Sequence, residues 1–198
     1  MAQAADRLIA AIARDRLAPL GLIRKGRSRT WIDDHGWWLI NVEFQPLPNR
    51  PGCYLNVGEQ HLWVVRDHLC FENAERPLGS STFVALDGDE EAFSQAMEGV
   101  ATAAVSAVAR RRVAHGEGTD ALSRLTQGSD DLNAGIASAL LGDADGTARL
   151  SARVHDVDQE LAASYLRLSK SAAREKVSVD VATTRRQLGL AALNVVRW

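Results

Sequence analysis

The stretch Trp37–Gln45, "WWLINVEFQ", constrains the fold of this chain more than any other feature. Trp38, Ile40, Val42 and Phe44 alternate strictly with Leu39, Asn41, Glu43 and Gln45. Successive side chains of a β-strand point to opposite faces, so this spacing predicts a strand with one apolar face and one mostly polar face. An apolar face of that size needs a cover. The chain must therefore build a sheet with helices packed on one side.

Immediately upstream, "WIDDHGWW" places two aspartates, a histidine and three tryptophans within eight residues. A metal or catalytic centre needs ligands that converge from separate directions. Asp33, Asp34, His35 and Gly36 instead stand consecutively between two strand-like segments. Aspartate closes turns through its side chain and glycine supplies positive φ, so "DDHG" reads as a hairpin turn. No metal and no cofactor is expected.

Around this hairpin the remaining pattern is α+β. Residues 4–17 place Ala5, Leu8, Ile9, Ile12 and Arg16 at helical spacing, with Asp6, Arg7 and Arg14 outward. "GLIRKGRSRTWI" predicts strand, turn and strand about Gly26. "PLPNRPG" reads as a loop, "CYLNVG" and "HLWVVR" as two strand segments divided at Gly58, "RPLGSS" as a loop and "TFVAL" as a short strand. Asp87 or Asp89 then caps a helix in which Phe93, Met97, Val100, Ala104 and Val108 form one stripe, closed by Arg110, Arg111 and Arg112.

"AHGEGTD" breaks that pattern and divides a sheet domain, 1–115, from a helical segment, 118–198. Leu132, Ile136 and Leu140 predict a short helix ending at Gly142. Leu150, Val154, Val157, Leu161, Tyr165, Leu168 and Ala172 predict a long one, and Val177, Val181, Leu188, Ala192 and Val195 the last. Burying one leucine stabilises by about 1.5–3 kcal/mol, so stripes of this kind must pack. The expectation is an antiparallel sheet flanked by helices, with a C-terminal bundle of three helices packed against it.

Composition narrows function more than it names it. A net charge of −2 supplies no global basic field, so nucleic acid is not an expected partner. No apolar run is long enough to span a bilayer, and the charged start "MAQAADRLIAAIARDRL" is unlike a signal peptide. A cytoplasmic protein without a membrane partner is expected. Cys53 and Cys70 lie too far apart for a zinc or redox pair and read as reduced thiols.

The short motifs are weak. "GDADGT" lacks the alternating acids and the late glutamate of a calcium loop and reads as a helix stop followed by an N-cap. His35, His61, His68, His115 and His155 share no metalloprotease spacing, and neither a nucleophile elbow nor a phosphate loop is present. "RRR" at 110–112 suits a helix C-terminus, and "RKGRSR" beside Trp31 suits a solvated hairpin.

Two function classes stay open. The first is a non-catalytic binding or protein-interaction module of a regulatory or immunity type, because no nucleophile–base pair appears. Trp31, Trp37, Trp63 and Trp198 would form its contact surface, since aromatics dominate such contacts. A protein partner is then expected, and the apolar C-terminal stripes also allow a homodimer. The second is a small-ligand or enzymatic site on the polar sheet face, using Arg24, Asn41, Glu43, Gln45 and Asn56.

The run "PLGLIRKGRSRTWIDDHGWWLINVEFQPL…CYLNVG" also resembles the opening of a bacterial domain-of-unknown-function family (DUF4304-like). The shared features are a basic-x-Gly start, an aromatic-containing second strand, a strand ending in glutamine, and an aromatic followed by "LNVG". Leu22 stands where a phenylalanine is commoner. The resemblance covers about residues 5–110, agrees with the fold expectation and implies no catalytic residue.

Overall fold

The computed structural model describes residues 2–116, 118–154, 158–166 and 168–193. It is an α+β protein whose six-stranded sheet runs in the order β1 (Ile23–Arg24), β2 (Thr30–Asp34), β3 (Trp38–Leu47), β4 (Arg50–His61) and β5 (Glu72–Glu75), with β6 (Val84–Ala85) also on β4. The chain divides into two compact units, Met1–Gln60 with Leu69–Arg111, and His61–His68 with Arg112–Trp198.

In the first unit, helix α1 (Ala2–Leu17) buries Ala5, Ile9, Ile12, Ala13 and Leu17. Arg16, expected on that stripe, instead points out to Glu98, because Leu17 takes the buried position. Strands β1 (Ile23–Arg24) and β2 (Thr30–Asp34) pair antiparallel about the turn at Gly26. Strand β2 pairs with β3 (Trp38–Leu47) in the register Asp34↔Leu39. Between them "DDHG" closes the hairpin. Asp34 Oδ1 accepts from Gly36 N–H at 3.0 Å, Gly36 adopts φ +88°, and His35 N–H donates to Trp38 O at 3.0 Å.

Trp38, Ile40, Val42 and Phe44 are all buried, as their alternation predicts. The cover is α2 (Glu90–His115), whose stripe Phe93, Met97, Val100, Ala104 and Val108 is buried. Cys53 Sγ of β4 meets Met97 Sδ at 3.7 Å across that layer. Asp89 is the N-cap, its Oδ1 accepting from Glu91 N–H and Ala92 N–H at 3.0 Å each.

Three expectations along this stretch need correction. "PLPNRPG" is a two-residue turn, because β3 runs to Leu47 and β4 (Arg50–His61) starts at Arg50, with Asn49 at φ +62°. Strand β4 also continues through Gly58, so one 12-residue strand replaces two short ones. "HLWVVR" is mostly turn, although Leu62, Trp63 and Val64 are buried. Strands β5 (Glu72–Glu75) and β6 (Val84–Ala85) complete the sheet, β5 pairing with β4 across an irregularity at Val57–Glu59.

The second unit is helical, and its described residues form five helices where three were expected. These are α3 (Gly118–Leu125), α4 (Asp131–Leu141), α5 (Ala144–Ser151), α6 (Gln159–Tyr165) and α7 (Lys170–Gln187). Helix α4 is mostly apolar, is buried from Asn133 to Leu140, and touches each of the other four. Asp143, in "GDADGT", caps α5 by accepting from Gly146 N–H at 2.8 Å, while Gly142 ends α4 at φ +86°. The long helix expected over 150–172 is broken: α5 ends at Ser151, and Ser169 caps a new start at Lys170. Val157 of that stripe and Val195 of the last fall outside the described residues. Tyr165 Oη donates to Asp180 Oδ2 at 3.1 Å, joining α6 to α7.

Candidate functional site

The polar alternates of β3 do not share one environment. Leu39 and Asn41 are buried, whereas Glu43 and Gln45 are half-buried. At the closed end, Asn41 Nδ2 donates to Cys70 O at 2.7 Å and Cys70 N–H donates to Gln60 Oε1 at 2.9 Å. Two amide side chains thus hook the Cys70 backbone across the sheet.

The open end is organised by Asn56, the corresponding polar alternate of β4. Its Nδ2 donates to Glu43 Oε2 at 3.1 Å and to Gln45 Oε1 at 2.9 Å, which uses both amide hydrogens. Arg76 completes the set. Its Nε donates to Asn56 Oδ1 at 3.0 Å, Nη2 to Gln45 Oε1 at 3.2 Å and Nη1 to Ser80 O at 2.8 Å. The guanidinium also stands 4.5 Å over the Tyr54 ring, a favourable position for a cation.

The segment carrying Arg76 is itself braced. Gly79 N–H donates to Arg76 O, Thr82 N–H to Gly79 O, and Thr82 Oγ1 to Leu78 O. Phe83 then meets Tyr54 edge to face at 5.0 Å, with Arg50 4.7 Å over Phe83. Between this strap and the sheet lies an open cleft of about 600 Å³ lined by Glu43, Gln45, Asn56, Phe71, Ala74, Glu75, Arg76 and Ser80.

Charges around the cleft are compensated unevenly. Glu75 is held by Arg110 at 3.1 Å and by Arg111 Nε at 3.5 Å. Buried Arg111 also donates to Glu59 Oε1 at 2.6 Å and to Asn73 O at 2.7 Å. Arg110 and Arg111 of the expected "RRR" helix cap are therefore held in ion pairs, since a buried guanidinium needs a carboxylate partner. Among the described residues Glu43 and Arg76 have no ion-pair partner; the neutral Asn56 amide stands between them.

The structure brings Glu43, Gln45 and Asn56 together and leaves Asn41 at the closed end. Arg24 is elsewhere. It folds over its own turn, donating to Ser28 O at 2.7 Å and Arg27 O at 3.0 Å. The expected tryptophan surface is also not where it was placed. Trp31, Trp37 and Trp63 are buried, with Trp63 Nε1 donating to Asn133 Oδ1 at 2.6 Å. Trp198 lies outside the described residues. Tyr54, Phe71, Arg76 and Ser80 were missed. Tyr54 shares the period-two face of Asn56, a readable signal, whereas nothing local shows that "RPLGSS" returns to the sheet.

His35 Nε2 lies 2.9 Å from Asp33 Oδ2 and the ring stacks on Trp38 at 4.1 Å, but no cluster of three metal-ligating side chains occurs among the described residues. Likewise, no helix among them is long and apolar enough to cross a membrane. Comparison of the chain with models of known families, with curated proteins and with solved structures gave no match.

Proposed function

We propose that this chain is a non-catalytic binding module of the bacterial cytoplasm, and that its ligand site is the cleft between the polar ends of β3 and β4 and the 76–83 strap. The resemblance of residues 5–110 to the DUF4304-like family belongs to the same reading and brings no residue role with it.

One observation carries the proposal. Asn56 commits both amide hydrogens and its carbonyl to Glu43, Gln45 and Arg76, so four polar side chains are held in place before any ligand arrives. Fixing such groups in advance lowers the ordering cost of binding. The lining residues provide two carboxylates, two amides, a guanidinium and the Ser80 hydroxyl, and neither histidine nor thiol. That set supports recognition over nucleophilic chemistry.

A thermal-shift screen of amino acids, amines, sugars, nucleotides and metal ions tests the reading. One ligand class is expected to raise the melting temperature of the full chain by several degrees and to lose that effect in Asn56→Ala. A screen with no responding class, or a shift that survives in Asn56→Ala, overturns it.

A further inference from the structure

We propose that the ligand of this cleft is a zwitterion of the amino-acid class, its ammonium seated on Glu43 and its carboxylate on Arg76. The inference rests on the reading of the cleft as a binding site and adds the chemistry of the occupant.

The argument is an account of hydrogen-bonding capacity and charge. Asn56 has spent both amide hydrogens, and Gln45 Oε1 already accepts twice. Besides the neutral Gln45 Nε2 and the Ser80 hydroxyl, two charged groups keep unspent capacity. Glu43 has given one of its two carboxylate oxygens to a neutral amide. Arg76 has committed three of its five N–H groups, all of them to neutral oxygens. Glu75, the other lining carboxylate, is taken up by Arg110 and Arg111.

The cleft therefore presents one unpaired negative group and one unpaired positive group, both bonded to the same Asn56 side chain and so held at a set separation. A purely cationic ligand would pair with Glu43 and meet Arg76 as a like charge. A purely anionic ligand would do the reverse. Like-charge apposition is penalised, so a molecule carrying both charges complements the cleft best. Phe71 and Ala74 provide apolar surface for the ligand's carbon skeleton.

The test uses the full chain and calorimetric titration. The protein amino acids are titrated singly, with β-alanine and γ-aminobutyrate as probes of wider charge separation. The best binder is then compared with its N-acetyl derivative, which lacks the cation, and its amide, which lacks the anion. The expected result is a loss of about tenfold or more for each derivative, since each removes a charge-assisted hydrogen bond. Glu43→Gln is expected to abolish the preference for the free ammonium and leave the preference for the carboxylate. Arg76→Gln is expected to do the opposite, with both variants retaining a cooperative melting transition.

The proposal falls if no zwitterion binds, if either derivative binds as well as its parent, or if the two variants do not show these opposite selectivities. A different class that binds in an Asn56-dependent way would sink the zwitterion and leave the binding site standing. Absence of any Asn56-dependent ligand would sink both.

Discussion

Burial pushes the Cys53 thiol up to about 12 from its ordinary 9.0, and the opposing charge of Arg29 only partly offsets the cost of making a thiolate beneath α2. The protonated thiol is the form the folded protein favours. Its contribution to stability is thus fully present below pH 9 and is lost as pH rises toward 12. Urea midpoints measured across that window should fall more steeply for the wild type than for Cys53→Ala. Equal slopes would show that burial at Cys53 does not govern alkaline unfolding. The position was readable as a reduced thiol, but what encloses it was not. Met97 is 44 residues away, and only folding brings the two sulfurs to 3.7 Å.

Helix starts and stops were legible where a cap residue carries the signal. Asp89, Asp143 and Gly142 all act as capping side chains or backbones do in isolation. The error over 150–172 has a specific cause. Helices α5, α6 and α7 all contact α4, so their apolar residues keep helical spacing through the breaks. Periodicity reports which residues face a core and does not report that the backbone between them is continuous. Helix α4 also shows a cap reaching into packing. Asp130 accepts from Asn133 N–H at 3.1 Å and from Asn133 Nδ2 at 2.7 Å, and Asn133 Oδ1 in turn accepts from Trp63 Nε1. Loss of an N-cap alone costs about 1 kcal/mol. Because Asp130→Ala also removes a hydrogen bond from the side chain that orients Trp63, we expect about 2 kcal/mol of destabilisation. The Trp63 indole N–H resonance should move with it. An unchanged resonance would show that Asn133 is oriented without Asp130.

The two compact units are not consecutive pieces of chain. Residues His61–His68 belong with the helical unit although they interrupt the sheet unit in sequence. The boundary read at "AHGEGTD" marks the end of α2, while the assignment of Leu62, Trp63 and Val64 to the helical core was invisible to a linear reading. A consequence is testable: residues 112–198 expressed alone lack those apolar side chains and the indole partner of Asn133. They should bind a hydrophobic dye and melt without a sharp transition. A sharp transition in the isolated segment, at the temperature of the full chain, would show that residues 61–68 are dispensable to its core.

Two short-range rules account for what could be read from the letters. Period-two spacing made β3 a strand with a covered apolar face, and turn chemistry made "DDHG" a hairpin, because both effects act between residues a few positions apart. The cleft obeys no such rule. Glu43 and Gln45 lie on β3 and Asn56 on β4, but Arg76 and Ser80 arrive on a strap whose return to the sheet depends on Tyr54 meeting Arg76 and Phe83, and Arg50 meeting Phe83, across gaps of 22 to 33 residues. Whether a polar strand face is wet, buried or cleft-forming is set by what folds over it. At Asn41 that is the Cys70 backbone, and at Glu43 it is a guanidinium one amide away.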